Sequence, residues 1–389
     1  MSPVAPAARR PSRARPRTAG PTWALIAGGG TGGHVVPAIA IGQALVARGH
    51  TAASIRFVGS RRGVEGRMVP RAGFEITLLP GRGIARRLAW ENVGAVLGLL
   101  VAVGEATWLV ARLRPSVVIA VGGYASVACA VAAAFLRVPL VVAEQNVVPG
   151  MANRLGARLA AASAVSFSGT ALPRSVLTGN PVRPEILMVD RSDAGRAAAR
   201  AALGLPPDGL IVAVASGSLG ARRVNDAVVA LARRWSSRSG LALRHVVGER
   251  DFDAMVALAP APVDGGLVYQ QVRFEDRMDL LLAAADLAVQ RAGASTVAEL
   301  AAVGVPSLLV PLPGSPGDHQ GANARRFEEA GAAVVVPDAD LDCDRLEAEL
   351  DALLVDAGRR RAMGDAARTL ARPGAADAVA ALAEEHARG

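Results

Sequence analysis

Residues 22–34 read Thr22-Trp-Ala-Leu-Ile-Ala-Gly-Gly-Gly-Thr-Gly-Gly-His34. An apolar run of strand length ends in glycines at 28, 29, 30, 32 and 33, and an Ala-, Val- and Ile-rich stretch begins at once. Strand, glycine turn and helix start in that order predict a βα unit whose turn leaves backbone N–H groups free for an anion. The same alternation runs outward through SIRFVG, EITLL, SVVIAVGG, PLVVAE and SAVSF. It breaks at Leu177-Thr-Gly-Asn-Pro-Val-Arg-Pro-Glu185, where Gly179, Pro181 and Pro184 interrupt any regular element. It then restarts with LIVAVAS, ALRHVV, GLVYQQ, DLAVQ, PSLLVP and AAVVV.

Repeated strand–turn–helix units predict parallel, doubly wound sheets. The fold class read from the pattern is α/β, with two Rossmann-like domains facing a cleft. The expected organisation is a disordered basic tail over 1–21, an N-terminal Rossmann-like domain over 22–180, a C-terminal Rossmann-like domain over 181–373 and a last helix over 374–389. In such sheets ligands bind beyond the carboxyl ends of the strands, so the cleft is the expected site.

Bulk properties narrow the function. The 389 residues are 51% hydrophobic but 3% aromatic, so the interior is built from Ala, Val and Leu. All 43 basic residues are Arg, which excludes lysine Schiff-base chemistry. The net charge of +9 fits an anionic membrane or a phosphorylated substrate. Scarce aromatics and the lack of a recognition motif argue against nucleic acid. Cys129 and Cys343 are isolated, without histidines at ligand spacing, so neither a structural metal nor a disulfide is expected. The longest apolar run, Val93 to Val103, falls short of the roughly 20 residues that span a bilayer, and no transmembrane helix is expected.

Gly28, Gly30 and Gly33 satisfy G-x-G-x-x-G, which raises dinucleotide binding. A dinucleotide enzyme wants an acid about 20 residues on for the ribose. Residues 53–58 are Ala, Ser, Ile, Arg, Phe and Val, and none serves. His34 closes the glycine cluster, where it is either structural or placed to take a proton from an attacking hydroxyl or to orient the acceptor. Two further clusters, Gly122-Gly123-Tyr124 and Ser216-Gly-Ser-Leu-Gly-Ala-Arg222, again join an apolar strand to a helix. Together the three suit a diphosphate or two phosphorylated ligands. Arg291-Ala-Gly-Ala-Ser-Thr-Val-Ala-Glu299 reads as a helix start in which Ser295 or Thr296 meets phosphate, with Glu299 a turn further on to accept ribose hydroxyls. Asp318-His-Gln320 with Asn323 opens another helix and brings amides suited to sugar hydroxyls. Arg82, Arg86 and Arg87 beside Ile84, Leu88 and Trp90 suit either an anionic lipid interface or a helix with an ordinary apolar side.

Taken in order, these motifs, with Phe57-Val-Gly-Ser-Arg-Arg-Gly63, Glu144-Gln-Asn146 and Gly179-Asn-Pro-Val-Arg183, resemble the bacterial peptidoglycan N-acetylglucosaminyltransferases of glycosyltransferase family 28. The likeness runs from about Trp23 to Val336. It implies a GT-B fold and inverting transfer of N-acetylglucosamine from UDP-N-acetylglucosamine to the muramyl 4-hydroxyl of lipid I, giving lipid II. It further implies no cofactor, no metal and a peripheral position on the cytoplasmic face of the cell membrane. Arg183, with Phe274 and Glu275, would lie near uracil, Ser218, Ser295 and Thr296 near the diphosphate, Glu299 at ribose and Gln320 at the sugar, with Arg291 in the same donor motif. Thr31, Gly32, Gly33, Gly122, Gly123 and Tyr124 would hold the acceptor diphosphate. His34 would stand by the attacking hydroxyl, and Glu144 and Asn146 would line the cleft. Three places differ from the family's usual pattern, Ala143 where a histidine precedes Glu-Gln-Asn, Val127-Ala-Cys129 in the second loop and Ser216-Gly-Ser-Leu-Gly220 in the third, and the first two leave as the alternative a related transferase that uses a UDP-sugar with a different lipid or secondary-metabolite acceptor.

Overall fold

A computed structural model describes residues 22–61, 63–80, 91–217 and 220–388, without the side chains of 91–97. The tail over 1–21, the Arg82–Trp90 segment and Ser218 lie outside the described residues.

In chain order the first lobe carries β1 (Ala24–Gly28), α1 (Gly32–Ala47), β2 (Ile55–Ser60), α2 (Glu65–Arg71), β3 (Glu75–Leu79), α3 (Glu91–Leu113), β4 (Val117–Gly122), α4 (Tyr124–Phe135), β5 (Leu140–Glu144), α5 (Met151–Leu159), β6 (Ala162–Val165) and β7 (Ser175–Leu177). Its seven strands pair in the order β3-β2-β1-β4-β5-β6-β7, every neighbour parallel. The second lobe carries α6 (Pro184–Leu187), α7 (Asp193–Ala202), β8 (Leu210–Ala215), α8 (Arg222–Arg234), β9 (Leu241–Val246), α9 (Phe252–Ala257), β10 (Val268–Val272), α10 (Met278–Ala284), β11 (Leu287–Gln290), α11 (Ala294–Val303), β12 (Ser307–Leu309), α12 (His319–Glu329), β13 (Ala333–Val335), α13 (Cys343–Val355) and α14 (Ala357–Leu370). Its sheet runs β10-β9-β8-β11-β12-β13, again parallel.

Both sheets reverse strand order once, between β1 and β4 in the first and between β8 and β11 in the second. Loops splay apart where the order reverses, and ligands enter there. The glycine stretches 28–33 and 122–123 flank the first reversal, and 216–220 with 291–296 flank the second. The motifs thus meet at the two places where the topology opens a crevice.

The central strands are buried on both faces, as a doubly wound sheet requires. Ala24, Ile26, Val117, Ile119 and Val141 face α1 in one layer of the first lobe, while Leu25, Ala27, Val118, Ala120 and Val142 face α3 and α4 in the other. The last helix, α15 (Ala375–His386), crosses back to the first lobe: Val379, Ala380, Leu382 and Ala383 join that lobe's core. Arg48 fixes it from outside by pairing with Asp377 at 2.8 Å and Glu384 at 2.7 Å. The chain therefore passes between the lobes twice, near 166–183 and near 371–374.

Helices differ at their starts according to where they point. α7, α13 and α14 are capped by Ser192, Asp342 and Asp356, whose side chains accept from Gly195, Arg345 and Arg359 N–H groups. α1, α4, α8, α11 and α12 follow the carboxyl ends of strands and have no such side-chain cap. Apart from Gln320 of α12, whose N–H donates to Ser315 Oγ (3.3 Å), their first-turn N–H groups keep the positive end of the helix available to an anion.

Beneath the third glycine loop lies a buried polar chain. His245 Nε2 donates to Asn225 Oδ1 (3.0 Å), and its Nδ1 accepts from the Tyr269 hydroxyl (2.9 Å), which in turn accepts from Gln271 Nε2 (2.9 Å). Asn225 Nδ2 donates onward to the Val247 carbonyl (3.0 Å). Every partner suits a neutral imidazole, and burial lowers the His245 pKa from 6.5 to about 3. The unfolded chain takes up this proton as pH falls through 6.5, whereas the folded chain refuses it until about 3. Stability is therefore complete above pH 6.5 and declines below it, by about 1.4 kcal/mol per pH unit for this group. Burial lowers the His34 pKa as well, so that histidine contributes in the same direction. The urea midpoint should drop on moving from pH 7 to 5. A flat midpoint would mean that the fold does not hold these histidines neutral.

Candidate active site

In the first lobe the two glycine loops are joined backbone to backbone. Gly29 N–H donates to the Gly122 carbonyl (3.2 Å), and Ser126 Oγ donates to the Ala27 carbonyl (2.6 Å) while accepting from Gly122 N–H (2.9 Å). Gly122 and Gly123 adopt φ of +106° and +87°, and a Cβ at Gly123 would lie 2.5 Å from the Gly29 carbonyl oxygen. A Cβ at Gly122 would lie 2.8 Å from both Cδ2 and Nε2 of His34. Glycine is needed at both positions, once for backbone approach and once to make room for the imidazole.

His34 stands in the first turn of α1. Its Nδ1 lies 3.1 Å from the Gly29 carbonyl, which can only accept, so Nδ1 carries the proton and Nε2 holds a lone pair. Burial pushes the His34 pKa down, partly opposed by Glu144 and the Gly29 carbonyl. A neutral imidazole with a free Nε2 is the form a general base needs. Thr31, Gly32 and Gly33, just before it, form the uncapped start of α1.

Glu65, which the sequence reading passed over, is the anchor of this loop. It is 1% exposed and accepts from Gly30 N–H (2.9 Å), Ser60 N–H (2.7 Å) and Ser60 Oγ (3.1 Å). Its carboxylate fills the space where side chains on Gly29, Gly59 and Gly63 would sit. The only signal in the sequence was the unexplained density of glycine around 59–63. Glu65→Ala leaves Gly30 and Ser60 N–H groups without this acceptor, at roughly 1–3 kcal/mol each. A thermal midpoint lowered by several degrees is expected, and an unchanged midpoint would remove the anchoring role.

Glu144, Asn146 and Tyr124 are brought to the same side but are already engaged. Glu144, 3% exposed, accepts from Asn146 N–H (2.9 Å), Asn146 Nδ2 (3.1 Å), Gly150 N–H (3.0 Å) and Asn153 Nδ2 (2.9 Å). It shapes the 146–153 loop. The Tyr124 hydroxyl donates to the Gly98 carbonyl (2.6 Å), and burial raises its pKa.

The second lobe gathers the other group. Ser216 Oγ, Gln290 Nε2 and Ser295 Oγ are buried and have no hydrogen-bond partner among the described residues. Gln290 pairs in register with Ala215, so the first two stand on adjacent strand ends, and Ser295 opens α11 beside them. Buried polar atoms are normally satisfied, so such a set calls for a polar ligand or water. Thr296 follows Ser295 in the same turn. Glu299, 8% exposed, is one turn along and accepts from Arg183 Nε (3.1 Å) and Nη2 (2.9 Å). Burial raises its pKa, and Arg183 opposes the rise. Two of the expected donor residues therefore hold each other.

Arg291 is drawn inward: Nη1 donates to the Val310 and Pro311 carbonyls (3.1 Å each) and lies 2.6 Å from Asp338. It fastens β11 to the segment after β12. Phe274 is 56% exposed, whereas Glu275 is 8% exposed and paired with Arg244 at 2.7 Å. Gln320 accepts from Leu312 N–H through Oε1 (3.0 Å), which leaves its amide nitrogen free for another partner. Asn323 differs from expectation. It is wholly buried, both amide hydrogens are taken by Asn146 Oδ1 and the Ala292 carbonyl (3.1 Å each), and it has no donor left for a sugar. No cluster of three or more His, Cys, Asp or Glu side chains able to hold a metal ion occurs among the described residues.

The chain that carries these two crevices also matches known proteins over most of its length. The model for the glycosyltransferase family 28 N-terminal domain matches residues 24–165, and that for the family 28 C-terminal domain matches 211–380. A relative from Desulforudis audaxviator named UDP-N-acetylglucosamine–N-acetylmuramyl-(pentapeptide) pyrophosphoryl-undecaprenol N-acetylglucosamine transferase is 38% identical over 93% of this chain and 97% of its own length. The chain belongs to glycosyltransferase family 28. A Nocardioides family 28 relative with the same name is 42% identical over 89% of this chain and 93% of its own. Among solved structures, MurG of Acinetobacter baumannii superimposes with a TM-score of 0.74 at 28% identity, covering 94% of this chain and all of that one. The two family 28 matches fall on the two sheets, which are the Rossmann-like halves of the GT-B architecture.

Proposed function

We propose that this chain transfers N-acetylglucosamine from UDP-N-acetylglucosamine to N-acetylmuramyl-(pentapeptide) pyrophosphoryl-undecaprenol, that is, lipid I, with inversion and without a divalent cation. The observation that carries the reading is the division of labour between the crevices. One has a histidine lone pair beside two fused glycine loops, and the other has unpartnered Ser216, Gln290 and Ser295 atoms at the start of α11, with Glu299 one turn away. The names of the 38–42% identical relatives supply the donor and the acceptor.

In the proposed reaction His34 Nε2 takes the proton from the muramyl 4-hydroxyl as that oxygen attacks the anomeric carbon. The departing diphosphate gains negative charge, which the N–H groups at the start of α11 and of the third glycine loop, with the Ser295 and Thr296 hydroxyls, stabilise. Ser218 would belong to this group. Glu299 orients the ribose, Arg183 and the Phe274–Glu275 backbone flank the uracil, and Gln320 meets the sugar. The first-lobe loops, from Thr31 to Gly33 and from Gly122 to Tyr124, hold the acceptor's diphosphate in the same manner.

Membrane contact belongs to the same reading. α3 packs on α4 and α4 on α5. These helices expose Leu100, Trp108, Phe135, Met151 and Leu159, with Arg112 over the Trp108 ring. Large apolar side chains beside arginine favour an anionic lipid surface. No described helix is long and apolar enough to cross a membrane.

The test is transfer of labelled N-acetylglucosamine to lipid I in the presence of EDTA. Lipid II should form at an undiminished rate. No product, transfer only to another acceptor, or activity restored only by added magnesium would overturn the corresponding part of the proposal.

A further inference from the structure

One set of contacts joins the two crevices directly. Asn323, on α12 of the second lobe, accepts from Val147 N–H (3.1 Å) and donates to Asn146 Oδ1 (3.1 Å), both on the first lobe. Its second amide hydrogen goes to the Ala292 carbonyl (3.1 Å), immediately before Gly293, which starts α11. On the other side, Asn146 Nδ2 donates to Glu144 Oε1 (3.1 Å), whose carboxylate also holds Gly150 and Asn153. A continuous line of hydrogen bonds therefore runs from the acceptor-side loop to the backbone that opens the donor-side helix. Asn323 is fully buried and both its donors are occupied. Val148 supports the seam, since a Cβ on Gly317 would lie 3.2 Å from its Cγ1.

We propose that Asn146 and Asn323 form a clasp between the lobes that sets how α11 faces the acceptor loops, so that both act as positioning residues for the transfer. The inference rests on the reaction proposed above. Attack across a cleft needs the hydroxyl and the anomeric carbon aligned by groups anchored in different lobes, and a displacement of about 1 Å can cost roughly 10²-fold in rate. An amide pair suits this task because it has fixed geometry and no charge to desolvate.

The experiment is a double-mutant cycle on the full chain with UDP-N-acetylglucosamine and lipid I, combined with calorimetry of UDP. Asn146→Ala and Asn323→Ala should each lower kcat by roughly 10²-fold. The double variant should fall no further than the worse single one, because both remove the same contact. UDP affinity should stay at the wild-type value, at least in Asn146→Ala, whose change lies in the other lobe. Asn323→Asp keeps the acceptor for Val147 but turns an oxygen toward Asn146 Oδ1 and the Ala292 carbonyl. It should be as damaging as alanine although it preserves side-chain volume.

Lobe geometry gives a readout independent of activity. Spin labels on Thr51→Cys and Asp208→Cys, both exposed and in different lobes, are placed in a Cys343→Ser background, with Cys129 fully buried. They should give a narrow distance distribution that broadens on adding Asn323→Ala. Independent, additive losses in the cycle, or an unchanged distribution, would overturn the clasp. Failure of the wild type to transfer at all would instead overturn the reaction, and the label distances would still judge the clasp.

Discussion

Replacing His34 with alanine is expected to lower kcat by roughly 10²–10⁴-fold, the range for loss of a positioned general base, with UDP affinity unchanged. The expectation follows from where the imidazole is held. Nδ1 is fixed by the Gly29 carbonyl, and Nε2 lies over Gly122, where only a glycine leaves space. Because burial depresses the pKa, the ring keeps its neutral form to lower pH than an exposed histidine does. The acidic limb of the kcat profile should therefore lie below the usual histidine value, and activity should be lost as pH falls through it. In His34→Ala that limb should vanish from the residual rate. A variant that retains wild-type kcat, or an acidic limb that survives the substitution, would remove the base from the mechanism.

Glu299→Ala should have the second largest effect, and on a different constant. UDP affinity is expected to fall by roughly 10²-fold, corresponding to one or two charge-assisted hydrogen bonds at about 1.5–3 kcal/mol each. The carboxylate is 8% exposed and held by Arg183, so it is oriented before any ligand arrives. Loss of the acid also leaves the Arg183 guanidinium without its counter-charge beside the expected nucleotide position, so Glu299→Gln should lose less than Glu299→Ala. Saturating donor should restore most of kcat in both. Calorimetry decides: unchanged UDP affinity in Glu299→Ala would end the ribose role, leaving the residue as a structural partner of Arg183.

The contrast between these two residues indicates what the sequence made legible. Strand–glycine–helix repeats follow from local rules, and the two sheets, their parallel pairing and the break near residue 180 were readable from apolar runs and turn residues alone. The place of His34 and Ser295 at helix starts was readable because each closely follows a strand, where the chain direction dictates the exposure of N–H groups. Partnerships across sequence distance were not readable. Arg291 belongs to the donor motif by sequence, and only the structure shows its guanidinium against Val310, Pro311 and Asp338. Asn323 looks like a sugar ligand until its two hydrogens are found on Asn146 and Ala292. Glu65 looks like an ordinary helix-start acid until Gly29, Gly59 and Gly63 are seen to close around it. The fate of α15 was equally hidden: its apolar positions show that it must pack, but not that it packs on the opposite end of the chain.

All of this depends on the nucleotide sugar lodging at the second reversal of strand order. The most direct measurement is a crystal structure of the protein soaked with UDP-N-acetylglucosamine. The diphosphate should lie within hydrogen-bonding distance of Ser295 and the first N–H groups of α11, with the ribose against Glu299 and the sugar turned toward His34. Nucleotide bound in the first lobe between β1 and β4, or held through a metal ion rather than by those groups, would contradict it.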